Sequence, residues 1–153
     1  MKHDLLSSLE EYLRDVEEKL LNEENLRIVN YPQENVTEWN KTQLDAKNKD
    51  LLKSVSGAAN VYAIFTSERG KNEFSLRYIG KTKRDLARQR IRNHLIYKND
   101  KTGAKLSEIK AHVKSGGSVK ISWVTIDPES LRNYIEEELI IKHKEADWNA
   151  SHG

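Results

Sequence analysis

Cysteine is absent from the chain, which removes disulfide frameworks, thiolate zinc sites and cysteine nucleophiles together. No apolar run approaches the roughly 20 residues needed to span a bilayer. No charged-then-apolar leader opens the sequence either. The expectation is a soluble bacterial protein of the cytoplasm, associated with the nucleoid when it acts. Internal repeats and low-complexity segments are missing as well. A chain of 153 residues then fits one compact domain carrying a small appended element. Hydrophobic residues make up only 37% of it, against 33% charged, so the core must be lean and many helices wet on one side.

The net charge of +2 is unevenly spread. Residues 1 to 56 hold 8 Lys/Arg against 12 Asp/Glu, and residues 57 to 153 hold 18 against 12. Between residues 69 and 120 the basic excess sharpens to 15 against 4. A local field of this kind suits a polyanion, because neutralised phosphates release condensed counterions. A solvated lysine-rich surface has the same composition.

Leu5, Leu6, Leu9, Leu13, Val16, Leu20 and Leu21 recur at helical spacing, predicting an amphipathic helix over residues 4–22. Its stripe can cover the chain's own core or pair with a second copy, and the N-terminal helices can alternatively contact DNA. A strand or extended link spans Leu26 to Pro32, a loop residues 34 to 38, and a second helix Thr37 to Ser54. Ser56-Gly57-Ala58-Ala59 marks a boundary, dividing a helical extension (1–56) from a second domain (57–153). Strands are expected at Val61 to Thr66, Phe74 to Ile79 and Val119 to Ile126, the first two joined as a hairpin. Helices are expected over residues 84–97, from Lys105 to Lys114, and from a cap at Asp127 to about Lys144. The order gives an α/β (α+β) class, a small antiparallel sheet flanked by helices.

Several polar residues in this framework can do chemistry. Arg90 and His94 lie four apart on one helical face, where a guanidinium can grip a phosphate and an imidazole can relay a proton. Glu136-Glu137-Glu138 point in three directions around a helix, so at most one or two can face the sheet. Such a carboxylate is a natural ligand for a hard divalent ion. Tyr62 and Tyr78 occupy neighbouring strands, and Asn149 lies near the end of the chain. Singly, each has an ordinary explanation: a solvated face, a packed strand aromatic, a terminal amide.

Together, Asn60-Val61-Tyr62, Tyr78-Ile79-Gly80-Lys81-Thr82, Arg90-x-x-x-His94, Glu137 and Asn149 resemble the GIY-YIG nuclease family in the family's own order. The likeness covers roughly residues 57 to 150, with Asn60-Val61-Tyr62 standing where the family has Gly-Ile-Tyr. The stretch from Glu137 to Lys142, ending in Trp148-Asn149, is similar to excision-repair members, and that register selects Glu137 among the three glutamates.

The resemblance implies a three-stranded antiparallel sheet flanked by helices and one divalent ion, Mg2+ with Mn2+ as substitute, held by Glu137. It makes Tyr62 the activator of water and Arg90 and His94 the groups that bind or polarise the scissile phosphate. Tyr78 would help position it, Asn149 would pin the C-terminal segment, and Gly80 would permit close backbone approach. Arg69 and Lys71 in the hairpin, with Lys81, Lys83, Arg84, Arg88 and Arg92, become the expected contacts to double-stranded DNA. The family's standalone type II restriction endonucleases are the nearest match in kind. A structure-selective nuclease of repair, mobile elements or phage defence is the alternative, and a non-catalytic nucleic-acid-binding module a remote one. A homodimer is possible on DNA.

Overall fold

The computed structural model describes residues 4–32, 38–97 and 104–149. Its centre is an antiparallel sheet of four strands in the order β1-β4-β2-β3, where β1 is Arg27–Ile28, β2 Val61–Ser67, β3 Ser75–Lys81 and β4 Ser118–Val124. The three expected strands are all present. The fourth is a two-residue edge supplied by the N-terminal segment, pairing Arg27 with Ile121 and Ile28 with Lys120.

Alternation along the central strand β2 sorts the core into two layers. Tyr62 and Ile64 point to one face, where they meet Val119, Ile121 and apolar residues of three helices: α3 (Lys49–Val55), α4 (Ala87–Leu95) and α5 (Leu106–Lys114). Val61, Ala63 and Phe65 point to the other, covered by α1 (Leu6–Leu21) and α6 (Arg132–Lys142). Every residue of β2 is consequently buried. Val16 and Leu20 of α1 lie in this second layer, and the Leu20 carbonyl accepts a bond from the buried Ser122 hydroxyl at 2.6 Å. That part of the leucine stripe covers the chain's own sheet, while Leu5 and Leu6 stay exposed.

The helix expected over Thr37 to Ser54 is two helices, α2 (Lys41–Lys47) and α3, meeting at Asn48. Residues 34–37 of the expected loop, and Thr37 with them, lie outside the described residues. Asn48 is buried because its amide does the work of a peptide group. Its Oδ1 accepts the Asn30 backbone N–H at 2.7 Å and its Nδ2 donates to the Asn30 carbonyl at 3.0 Å. The same reciprocal pairing recurs at Asn60, which binds the backbone of Ile126 at 2.7 and 2.8 Å. An asparagine at position 60 thus fastens the start of β2 to the end of β4, satisfying buried groups that glycine would leave to other partners.

α4 and α6 each begin later than the sequence implies, behind 3-10 turns at Arg84–Leu86 and Glu129–Leu131. Asp127 does not cap α6. Its carboxylate lies 3.4 Å from Arg84, while the Arg84 backbone N–H donates to Glu129.

Candidate active site

The strand register places Tyr62 opposite Gly80 and Ile64 opposite Tyr78, so both tyrosines rise from the same face. Gly80 matters here through its missing side chain. A Cβ at position 80 would stand 2.5 Å from both Cζ and Oη of Tyr62. The phenol therefore lies across the glycine, and the close approach expected of Gly80 is to Tyr62. Gly80→Ala is expected to displace the ring and cost roughly 1–3 kcal/mol, the usual range for overpacking a filled site. Denaturant unfolding measures this, and wild-type stability with wild-type cleavage would refute it.

Tyr62 Oη sits 2.6 Å from His94 Nε2, and both side chains are buried. The other imidazole nitrogen decides which of them donates. His94 Nδ1 accepts the Lys105 backbone N–H at 2.9 Å, so in neutral imidazole the proton resides on Nε2. His94 then donates to the phenolic oxygen, a contact that favours phenolate over phenol. Lys105 also sets its ammonium 5.5 Å from the centre of the Tyr78 ring. Sequence reasoning missed Lys105, because its contribution is a main-chain N–H from a connection between helices and carries no residue signature.

Tyr78 owes its direction to an irregularity. Leu76 and Ile79 both belong to the layer under α1 and α6, although three positions separate them. The register shifts between Ile64 and Phe65, which pair with Tyr78 and Leu76 and leave Arg77 as an extra residue in β3. This bulge resets the alternation so that Tyr78 joins Tyr62. It also builds a dock, since the Arg77 carbonyl accepts the Trp148 N–H at 3.0 Å and its guanidinium pairs with Asp147. Next to it Asn149 exchanges two bonds of 2.8 Å with the backbone of Ile79, closing the free edge of β3 as another strand would.

The ring centres of Tyr62, Tyr78 and His94 lie 5.3–6.3 Å apart. Burial pushes the Tyr62 hydroxyl well above the ordinary phenol value, with Tyr78 and Glu136 adding to the rise and Arg90 opposing it. Burial raises Tyr78 too, again opposed by Arg90 and supported by Glu136. Arg90 is thus the cation that both phenols sense, one turn before His94 on α4.

The acid these phenols sense is Glu136. Ile135 and Leu139 are the buried residues of α6, and at about 100° per residue Glu136 flanks that stripe while Glu137 lies roughly opposite it. Glu136 is accordingly half-buried and Glu137 exposed. Glu137, the carboxylate that the resemblance selects, thus faces outward in this geometry, and its neighbour Glu136 is the one that both phenols sense. Burial raises the Glu136 carboxyl above its ordinary value, with Glu137 adding to the rise and Lys81 opposing it. The Lys81 ammonium approaches only to 3.7 Å.

The basic side chains divide. Lys83 and Arg88 are exposed beside α4, and Lys81 turns toward Glu136. Arg92 is committed elsewhere: its Nε and terminal nitrogen bind Asp45 of α2 at 2.9 and 2.6 Å, and its guanidinium lies over Tyr97. Arg84 is held between Asp127 and Glu129. Arg69 and Lys71 occupy the β2–β3 turn, five or more residues up the strands from Tyr62, or about 17 Å at strand rise. The structure does not bring these four to the cleft.

Two buried phenols, an imidazole, a guanidinium and a half-buried carboxylate thus meet at β2 and β3 of a small α+β domain. The GIY-YIG catalytic domain model matches residues 58–150, and the chain belongs to this family of endonucleases, which hydrolyse phosphodiester bonds and act on DNA. No curated protein and no solved structure matches the chain. Nucleases of the family are generally dependent on a divalent metal. The residues present fit one: Glu136 is partly desolvated, is paired only loosely with the Lys81 ammonium at 3.7 Å, and shares the site with phenolic oxygens, a donor set suited to a hard cation. No helix of the described residues is long and apolar enough to cross a membrane.

Proposed function

We propose that the protein cuts double-stranded DNA at specific sequences in the manner of a type II restriction endonuclease, with Mg2+ as its preferred ion. The observation carrying this reading is the convergence of Tyr62, Tyr78, His94, Arg90 and Glu136 on one edge of the sheet. In this reading Arg90 grips the scissile phosphate and stabilises the charge added to it. Tyr62, held by the His94 Nε2–H, accepts the proton of the attacking water. Tyr78 orients the phosphate beside it, and Asn149 keeps β3 in place. Glu136 would hold the divalent ion, which when bound polarises a phosphate oxygen and lowers the pKa of the neighbouring phenols.

Lys81, Lys83 and Arg88 supply the exposed positive charge that would meet the DNA backbone. Incubation of the purified protein with long duplex DNA and Mg2+ tests the reading. Discrete fragments are expected, while an uncut duplex beside an active control would defeat it. Preferential cutting of flaps or branched duplexes would transfer the assignment to a structure-selective nuclease.

A further inference from the structure

Beside Arg90 lies a cavity of about 230 Å³ lined by Thr82, Leu86, Gln89, Arg90 and Asn93. It falls below the roughly 300–1,000 Å³ of pockets that enclose drug-sized ligands, and so suits the edge of a single planar ring system. Leu86 is an apolar wall left 49% exposed, although helical spacing would enrol it in the core. The amides of Gln89 and Asn93 form no hydrogen bond among the described residues. Leu86, Gln89, Arg90 and Asn93 follow the three-then-four spacing of one helical stripe, so the cavity continues from the guanidinium along α4.

We propose that this cavity receives the groove edge of a base pair flanking the scissile phosphate, with Gln89 and Asn93 reading the base and Leu86 packing against the apolar part of that edge, such as a thymine methyl. The placement rests on the assignment of the scissile phosphate to Arg90. One helical turn advances about 5.4 Å and successive base pairs about 3.4 Å, so side chains within a turn of Arg90 reach one or two base steps. A carboxamide offers a donor and an acceptor together, which complements adenine N7 and N6 and mismatches the paired acceptors of guanine. Gln89 and Asn93 are thus specificity-determining residues, and adenine is the base they favour.

Selection of bound duplexes from a randomised DNA library tests this, using full-length protein carrying Tyr62→Phe so that the DNA survives, alone and with Gln89→Ala or Asn93→Ala added. Adenine should be enriched at one position in the parent and lose about fivefold to a hundredfold of that enrichment in the added variants. An unchanged profile in both variants, or retention of DNA with no base enriched, overturns the proposal. End mapping of the same library cut by the unmodified protein should put the enriched position within two steps of the cut, and a greater separation also overturns it. Failure of the unmodified protein to cut would count against the nuclease reading alone, since the binding profile still reports on the cavity.

Discussion

Glu136→Gln is expected to abolish Mg2+-dependent cleavage by about 10³-fold, a loss of several kcal/mol of transition-state stabilisation, while Glu137→Gln stays within about threefold of wild type. The two differ by one position but by about 100° in direction, enough to carry Glu137 to the side away from the buried stripe. Glu136 sits beside the buried Ile135 and Leu139 and raises both phenols, whereas Glu137 faces solvent. Stability should move the opposite way. Because the Glu136 pKa is raised in the folded state, the native chain keeps that proton to higher pH than the unfolded chain does. Between the two pKa values stability falls as pH rises, and above both the ionised carboxylate remains a cost. In metal-free buffer at pH 7, Glu136→Gln should therefore melt at or above the wild-type temperature. Adding Mg2+ should raise the wild-type melting temperature by binding linkage and leave that of Glu136→Gln unchanged. If Glu137→Gln instead eliminated the Mg2+ shift and the cleavage, the outward carboxylate would be the ligand after all.

Much of this architecture was legible before any coordinates. Strands β2, β3 and β4 announce themselves by β-branched and aromatic alternation, and Arg90 and His94 share a face because four residues make about one turn. What was not legible depends on single-residue phase. One extra residue at Arg77 turns Tyr78 to the side of Tyr62, and nothing in Ser-Leu-Arg-Tyr-Ile-Gly identifies which residue bulges. Among three adjacent glutamates, the buried stripe of α6 turns Glu137 outward and leaves Glu136 and Glu138 on its two flanks, of which Glu136 is the one beside Tyr62 and Tyr78, while the spacing to Asn149 pointed to Glu137. The break at Asn48 and the change from glycine to Asn60 share a further cause. An asparagine amide can stand in for a peptide group, but its partners, Asn30 and Ile126, are 18 and 66 residues away. The basic residues show the same limit, because the count of cations around residues 69–120 cannot tell Arg88, which is exposed, from Arg92, which is neutralised by Asp45.

Tyr62→Phe should lower cleavage by roughly 10²–10⁴-fold, the usual worth of a positioned proton acceptor. Removing the hydroxyl also takes a 2.6 Å hydrogen-bond partner from the buried His94 Nε2, for about 1–3 kcal/mol of stability. The two effects separate by pH. A phenol pushed up by burial, by Tyr78 and by Glu136 holds its proton in the resting protein, so the reactive fraction grows as pH rises and the wild-type rate should climb across the neutral and alkaline range. Arg90 opposes that shift, and a divalent ion at Glu136 would oppose it further. The climb should therefore begin at lower pH with Mn2+ than with Mg2+, because a bound Mn2+ draws electron density from nearby oxygens, and so acidifies them, more strongly than Mg2+ does. Tyr62→Phe should flatten the climb while keeping the fold. His94→Gln, which places an amide donor where the imidazole stood, should keep a climb but delay it, since the phenolate loses a better-matched donor. A Tyr62→Phe protein that cut DNA within threefold of wild type, with the same dependence on pH, would show that the phenol does not accept the proton. The contact from His94 would then serve only to hold the β2 face together.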